Sequence, residues 1–293
     1  MKDSPSRQLH FALRTLILIC LLCCAVSAQE IQIKGSDTLI YLGQRVRNFY
    51  QKETGTVSLQ VLGGGLSETS SPDEIVQWEG EPSKGLSTGR VTFPVGVQAI
   101  VLYVNPSNAV KELTISQVRK IFLGEITNWK DLGGPDSTIL LYAGESSTDT
   151  LPYFQEAVLR GEEPYPFVGK ANTKDLLNEI AQHPGAIGYG SLDSNPDVRP
   201  VAIKSGSASL PIEPTRDNIR SRVYPITRRI YWAVSNKPDS PTLALCHWIL
   251  SSNGQLVIES VGFEPLLPPD RATGLSKLTA SATPKTVPVS LVR

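Results

Sequence analysis

The sequence is poor in the residues on which disulfide, metal and nucleophilic chemistry depend. Of 293 residues only four are cysteine and three are histidine. Cys20, Cys23 and Cys24 fall within the first 28 residues, so once that segment is removed Cys246 stands alone and an intramolecular disulfide is excluded. Cys246 sits in an apolar helical pattern, which predicts a buried small hydrophobe rather than a reactive thiol. His183 and His247 lie in unrelated helical contexts without metal-ligand spacing, and no Ser/His/Asp order or Cys/His pair is evident. No enzyme, metal site or cofactor is implied. An excess of either charge is also lacking, with 28 basic against 28 acidic residues. Beyond residue 28 the count is 25 against 27, a formal charge of −2. That balance argues against nucleic-acid and anionic-membrane partners, which demand a basic excess.

A long apolar run is missing as well. The stretch from Thr15 to Cys24 is shorter than the ~20 residues that span a bilayer. Basic Lys2, Arg7 and Arg14 precede it and small residues follow it, Ala25-Val-Ser-Ala28. These three parts predict a secretory signal over residues 1–28, a mature chain from Gln29, and a periplasmic or other extracytoplasmic location. A lipoprotein signal needs a small residue before its cysteine, and Ile19, Leu22 and Cys23 stand there instead. The remaining ~265 residues suffice for one large or two medium domains.

What the sequence does contain is alternation. Short β-type runs at 31–34, 58–63, 98–104, 138–143, 186–190 and 229–234 are interleaved with helical patterns, which implies α/β architecture. Leu39, Leu42, Val46, Phe49 and Tyr50 recur at helical spacing. Thr114-Ile-Ser-Gln117 reads as a capping box ahead of apolar Val118, Ile121 and Phe122, with a stop at Gly124. Further helices are predicted over 150–160, 173–182 and, as one long helix, 241–261. From Leu267 the composition turns to Pro, Ser, Thr, Ala and Lys without apolar periodicity, which predicts a disordered tail over 267–293.

Three loops could carry chemistry. Gly35-Ser-Asp-Thr38 lies between a strand and a helix, where unpaired N–H groups and hydroxyls suit an anion; the plainer reading of Ser36, Asp37 and Thr38 is helix capping. Gly63-Gly-Gly-Leu-Ser67 follows another strand, and Gly64 and Gly65 permit close backbone approach beside Ser67, though a simple turn explains them equally. It lacks the ending of a P-loop. Ser146-Ser-Thr-Asp-Thr150 enters a helix with four hydroxyls, again either an oxyanion site through Ser147, Thr148, Asp149 and Thr150 or an over-provided cap. Asp73, Glu74, Glu79 and Glu81 read as a solvated acidic face rather than a catalytic pair. Trp78, Trp129, Trp232 and Trp248 read as packing residues.

Taken together with the block VLYVNPSNAVKELTISQVRKIFLGEITNWKDLGG (101–134), these loops resemble the phosphate-binding proteins of bacterial ABC transporters. Gly185-Ala-Ile-Gly-Tyr189, Tyr224-Pro-Ile-Thr-Arg228 and Ser251-Ser-Asn-Gly-Gln255 continue the likeness in order, over about residues 31–266. The resemblance implies a two-lobed periplasmic-binding-protein fold of type II with a ligand cleft between lobes, one built from 29–97 plus 206–266 and the other from 98–205. It also implies a monomer that binds inorganic phosphate or a similar oxyanion and passes it to an ABC transporter permease. The ligand residues expected are Ser36, Asp37, Thr38, Gly64, Gly65, Ser67, Ser147, Thr148, Asp149 and Thr150. Two departures fall on the ligand loops: Gly144 stands at the family's arginine position, and the family's aspartate segment is unrecognisable, with Asp73 a loose candidate. Arg90, or one of Arg216, Arg220, Arg222, Arg228 and Arg229, could supply the missing cation, although a solvated face explains that cluster more simply. A related protein that has lost or changed its ligand and serves as a sensory or interaction module is the competing expectation.

Overall fold

The computed structural model describes residues 30–55, 57–64, 71, 73–81, 89–144, 150–170 and 173–282. The expected leader, residues 1–28, lies outside them. Among the described residues no helix is long and apolar enough to cross a membrane.

Among the described residues two five-stranded sheets form the frame. The first is built from β1 (Glu30–Gly35), β2 (Ser58–Leu62), β3 (Glu74–Glu79), β4 (Arg90–Ala99) and, from far along the chain, β12 (Thr227–Ser235). Its order is β2-β1-β3-β12-β4. β1 runs parallel to β2 and β3, and β12 runs antiparallel to β3 and β4. The second sheet has β5 (Val101–Val104), β7 (Leu140–Gly144), β8 (Val168–Lys170), β9 (Ala186–Gly190) and β10 (Arg199–Pro200), in the order β10-β5-β9-β7-β8. A short parallel pair joins β6 (Glu112–Thr114) to β11 (Ala202–Lys204). The apolar run at 98–104 is therefore two strands in two sheets, divided at Ile100, whose N–H donates to the Ile226 carbonyl at 3.1 Å. The chain passes from the first sheet to the second at Ile100 and returns to the first sheet at β12.

Helices cover both sheets as their apolar spacing predicts. α1 (Ile40–Thr54) follows a 3-10 turn at Asp37–Leu39 and buries Leu42, Val46 and Tyr50. α2 (Ile115–Phe122) opens on the expected capping box: Gln117 N–H donates to Thr114 Oγ1 at 3.1 Å and Thr114 N–H to Gln117 Oε1 at 2.8 Å. α3 (Thr150–Phe154) continues as a wider turn through Gln155–Leu159. Its Phe154 stacks on Tyr189 at 3.9 Å and meets Phe122 edge-on at 4.8 Å, a packing that locks α3 to the second sheet. α4 (Thr173–Gln182) buries Leu176, Leu177 and Ile180, and the short α5 (Arg216–Arg220) precedes β12.

Two expectations are overturned at the C-terminal end. The predicted helix over 241–261 is two, α6 (Ser240–Ile249) and α7 (Ser252–Ser260). Ser251 breaks it by capping α7 through the Gly254 N–H at 3.3 Å. Gln255, fully packed, then ties the break together, donating to Val95 and Ile249 carbonyls and accepting from Leu266 N–H. The predicted disordered tail is instead helical over α8 (Pro268–Ala282). Leu278 is wholly buried, Leu275 packs on the core, and Asp270 pairs with Arg229 at 2.8 Å. Small residues let α8 approach β4 closely; a Cβ on Gly274 would lie 3.5 Å from Phe93. Few apolar residues suffice when each is buried, which is why composition missed it. Residues 283–293 lie outside the described ones.

Candidate functional site

The site lies where β1 and β3 end together. Gly35 closes β1 at a φ of +144°, and a Cβ there would lie 1.9 Å from the Gln77 carbonyl, so only glycine allows the chain to turn against β3. The turn delivers Ser36 and Thr38, whose hydroxyls are 2.7 Å apart. Neither caps the helix that follows, because no side-chain cap bond is formed at either helical start. Instead both hydroxyls donate to the carboxylate of Glu79, Ser36 at 3.4 Å and Thr38 in the closer contact. Asp37 turns the other way and accepts from the Gly64 N–H at 2.9 Å, tying the glycine loop to this junction. A Cβ on Gly63 would lie 2.2 Å from the same Asp37 oxygen, so the loop needs a glycine there.

Glu79 is the last residue of β3, and its side chain is 8% exposed. Arg228, the second residue of β12, brings Nη2 to 3.6 Å from Glu79 Oε1 and donates from Nε to Gln98 Oε1 at 2.7 Å. From the second lobe, Glu156 lies 3.3 Å from Arg228 Nη1, and the Tyr153 ring centre lies 4.1 Å from its Cζ, a cation–π contact. Burial pushes the Tyr153 hydroxyl well above the ordinary tyrosine range, outweighing the nearby guanidinium that pulls it down. Thr150 stands one turn before Tyr153 on α3. Two hydroxyls and a guanidinium, donors suited to an oxyanion, thus converge between the lobes on the Glu79 carboxylate.

Several expected site residues are brought together and others are not described. Ser36 and Thr38 share one carboxylate, Asp37 and Gly64 share one hydrogen bond, and Thr150 lies on the helix opposite. Gly65, Ser67, Ser147, Thr148 and Asp149 lie outside the described residues. Three readings are corrected. The acidic stretch is not a solvated face at Glu74 and Glu79: Glu74 is buried between Lys34 and Arg90, at 2.9 and 3.2 Å, and Glu79 is held by Ser36, Thr38 and Arg228. Asp73 does not approach the cleft either, since its carbonyl accepts from Gln32 N–H at the opposite end of β3, about 20 Å from Glu79 at strand rise. The arginine cluster likewise disperses. Arg216 pairs with Glu259, Arg222 with Glu81 and Arg229 with Asp270, while Arg228 goes to the cleft. Cys246 is buried, and burial raises its thiol far above the usual range.

A family model described as a PBP superfamily domain matches residues 64–253. The phosphate-binding protein PstS of Bacillus subtilis is 31% identical over 209 residues, 67% of each chain. This chain belongs to the phosphate-binding-protein family of the PBP superfamily. The PstS of Pseudomonas aeruginosa is 25% identical over 267 residues, covering 79% of this chain and 81% of its own. Solved structures agree in fold. A possible phosphate binding protein from Planctomyces limnophilus superposes with a TM-score of 0.77 at 20% identity, covering 87% of this chain and 99% of that one. An ABC-type phosphate transport receptor from Vibrio cholerae gives 0.65 at 20% identity, over 81% and 100%. Gly144 ends β7, and Glu79 ends β3 beside the hydroxyls of Ser36 and Thr38.

Proposed function

We propose that this chain is an extracytoplasmic solute-binding protein for phosphate or a closely related oxyanion, which it delivers to an ABC transporter. The observation that carries the reading is the placement of Glu79. A carboxylate is itself an oxyanion, and the hydroxyls of Ser36 and Thr38 together with the Arg228 guanidinium already converge on one. Arg228 supplies the positive charge that Gly144 cannot. In the bound state the hydroxyls would turn from Glu79 to the ligand, and Glu79 would accept a proton carried by the ligand, the part the family resemblance gives to an aspartate. Relatives named for phosphate binding and phosphate transport support the same reading. Delivery to a transporter, export and cleavage after Ala28 follow from the family likeness and the leader pattern.

The test is calorimetry of the chain from Gln29 with phosphate, arsenate and sulfate at pH 7. Phosphate and arsenate are expected to bind, and sulfate, which has no proton to offer Glu79, to bind more weakly. Arg228→Gln removes a charged hydrogen bond worth about 1.5–3 kcal/mol and should weaken phosphate about 10- to 150-fold. Absence of heat at millimolar phosphate would overturn the receptor reading. It would favour a sensory or interaction module that has lost or changed its ligand. One observation speaks for that alternative: the chain's own Glu79 already occupies the donors a ligand would use.

A further inference from the structure

Arg228 belongs to the first lobe but is held from the second. Its Nε is fixed by Gln98 at 2.7 Å on the neighbouring strand, its Nη1 by Glu156 at 3.3 Å, and its face by the Tyr153 ring at 4.1 Å. A guanidinium is a rigid plane, so fixing two of its edges determines where the third points. That third edge, Nη2, lies 3.6 Å from the Glu79 oxygen on which Ser36 and Thr38 converge. We propose that Glu156 is a positioning residue: together with the Tyr153 ring it grips Arg228 across the cleft, aiming the guanidinium into the anion cradle and favouring the closed arrangement of the lobes.

The grip exists only while the lobes are together, so it raises the closed population of the ligand-free protein. The consequence for affinity rests on the phosphate reading above. A ligand that uses Arg228 binds the closed arrangement, and its apparent affinity scales with the fraction of molecules already closed. Glu156 is also a negative charge that repels an incoming anion. Its side chain is three-quarters exposed, however, so that repulsion is screened, whereas the hold on Arg228 acts through direct contact.

The test uses spin labels on the two lobes at Lys52→Cys and Asp131→Cys, both exposed positions; Cys246 is buried and does not compete for label. Without ligand, Glu156→Gln is expected to shift the interlobe distances outward and Glu156→Asp to restore them, while the thermal midpoint stays nearly constant. Calorimetry with phosphate should show Glu156→Gln weakened about 3- to 10-fold. Unchanged interlobe distances in Glu156→Gln would overturn the proposal. So would tighter phosphate binding by that variant, which would make Glu156 a competitor for the guanidinium. Outward shift without phosphate binding by any form would uphold the grip and sink the phosphate reading instead.

Discussion

Glu264 shows how much a single residue's setting matters. It stands just beyond α7 and its backbone pairs with Val97 of β4, which draws its carboxyl into the core. Burial raises its pKa, and Arg216, 3.6 Å away, only partly opposes that. A carboxyl whose folded pKa is raised binds its proton more readily in the native state than in the unfolded chain. Stability therefore falls as pH rises from the unfolded glutamate value through the folded one. Replacing Glu264 with Gln should remove this dependence. Urea titrations from pH 4 to 8 are expected to show the advantage of Glu264→Gln growing with pH; a difference constant across the range would contradict the assignment. Nothing in the sequence marked Glu264, because its burial comes from a strand more than 160 residues away. Glu79 was hidden for the same reason. In a run of four acidic residues it looked like surface, and only the parallel register of β1 and β3 sets it beside Ser36 and Thr38.

At the scale of elements, local chemistry was legible where it is self-contained. The Thr114/Gln117 capping box and the spans of α4 and β9 were set out by residues within one turn or one strand. The elements that were misread depend on distant partners. The break between α6 and α7 needs Gln255 to reach Val95 across the first lobe, and α8 is held by β4 rather than by any strong periodicity of its own. Leu278 concentrates that attachment. Leu278→Ala should cost about 2–5 kcal/mol by leaving a cavity in the core. Chemical denaturation would measure the cost, and a loss below about 0.5 kcal/mol would show that α8 contributes little to the first lobe. β3 and the N-terminal part of β4 were missed altogether. β3 is buried along its length, so it lacks the alternation that marks a half-exposed strand.

For the whole molecule, a two-lobed fold makes ligand binding and shape interdependent. A ligand that bridges Ser36 and Thr38 to Arg228, itself gripped from the other lobe, stabilises the folded closed form by mass action. At a phosphate concentration 100 times its dissociation constant the stabilisation should be about 2.7 kcal/mol. A scan of unfolding temperature against phosphate concentration is expected to rise logarithmically for the native protein, and for Arg228→Gln to begin rising only at phosphate concentrations about 10- to 150-fold higher. An equal rise in both would place the anion elsewhere. Raising the phosphate dependence to this scale also separates site residues from packing residues, since Leu278→Ala should lower the baseline without altering the slope.

The sequence by itself determined the α/β alternation, the family resemblance and the placement of the Gly35-Ser-Asp-Thr38 turn at a strand end. Those features are written in residues near one another or in composition. Tertiary structure alone decided that Glu79 fills the hydroxyl cradle, that Arg228 rather than any other member of its cluster enters the cleft, and that Tyr153 and Glu156 meet it from the opposite lobe. Each of these depends on strand register or on contact between the lobes, which join residues 41 to 149 positions apart in the chain and leave no local pattern behind.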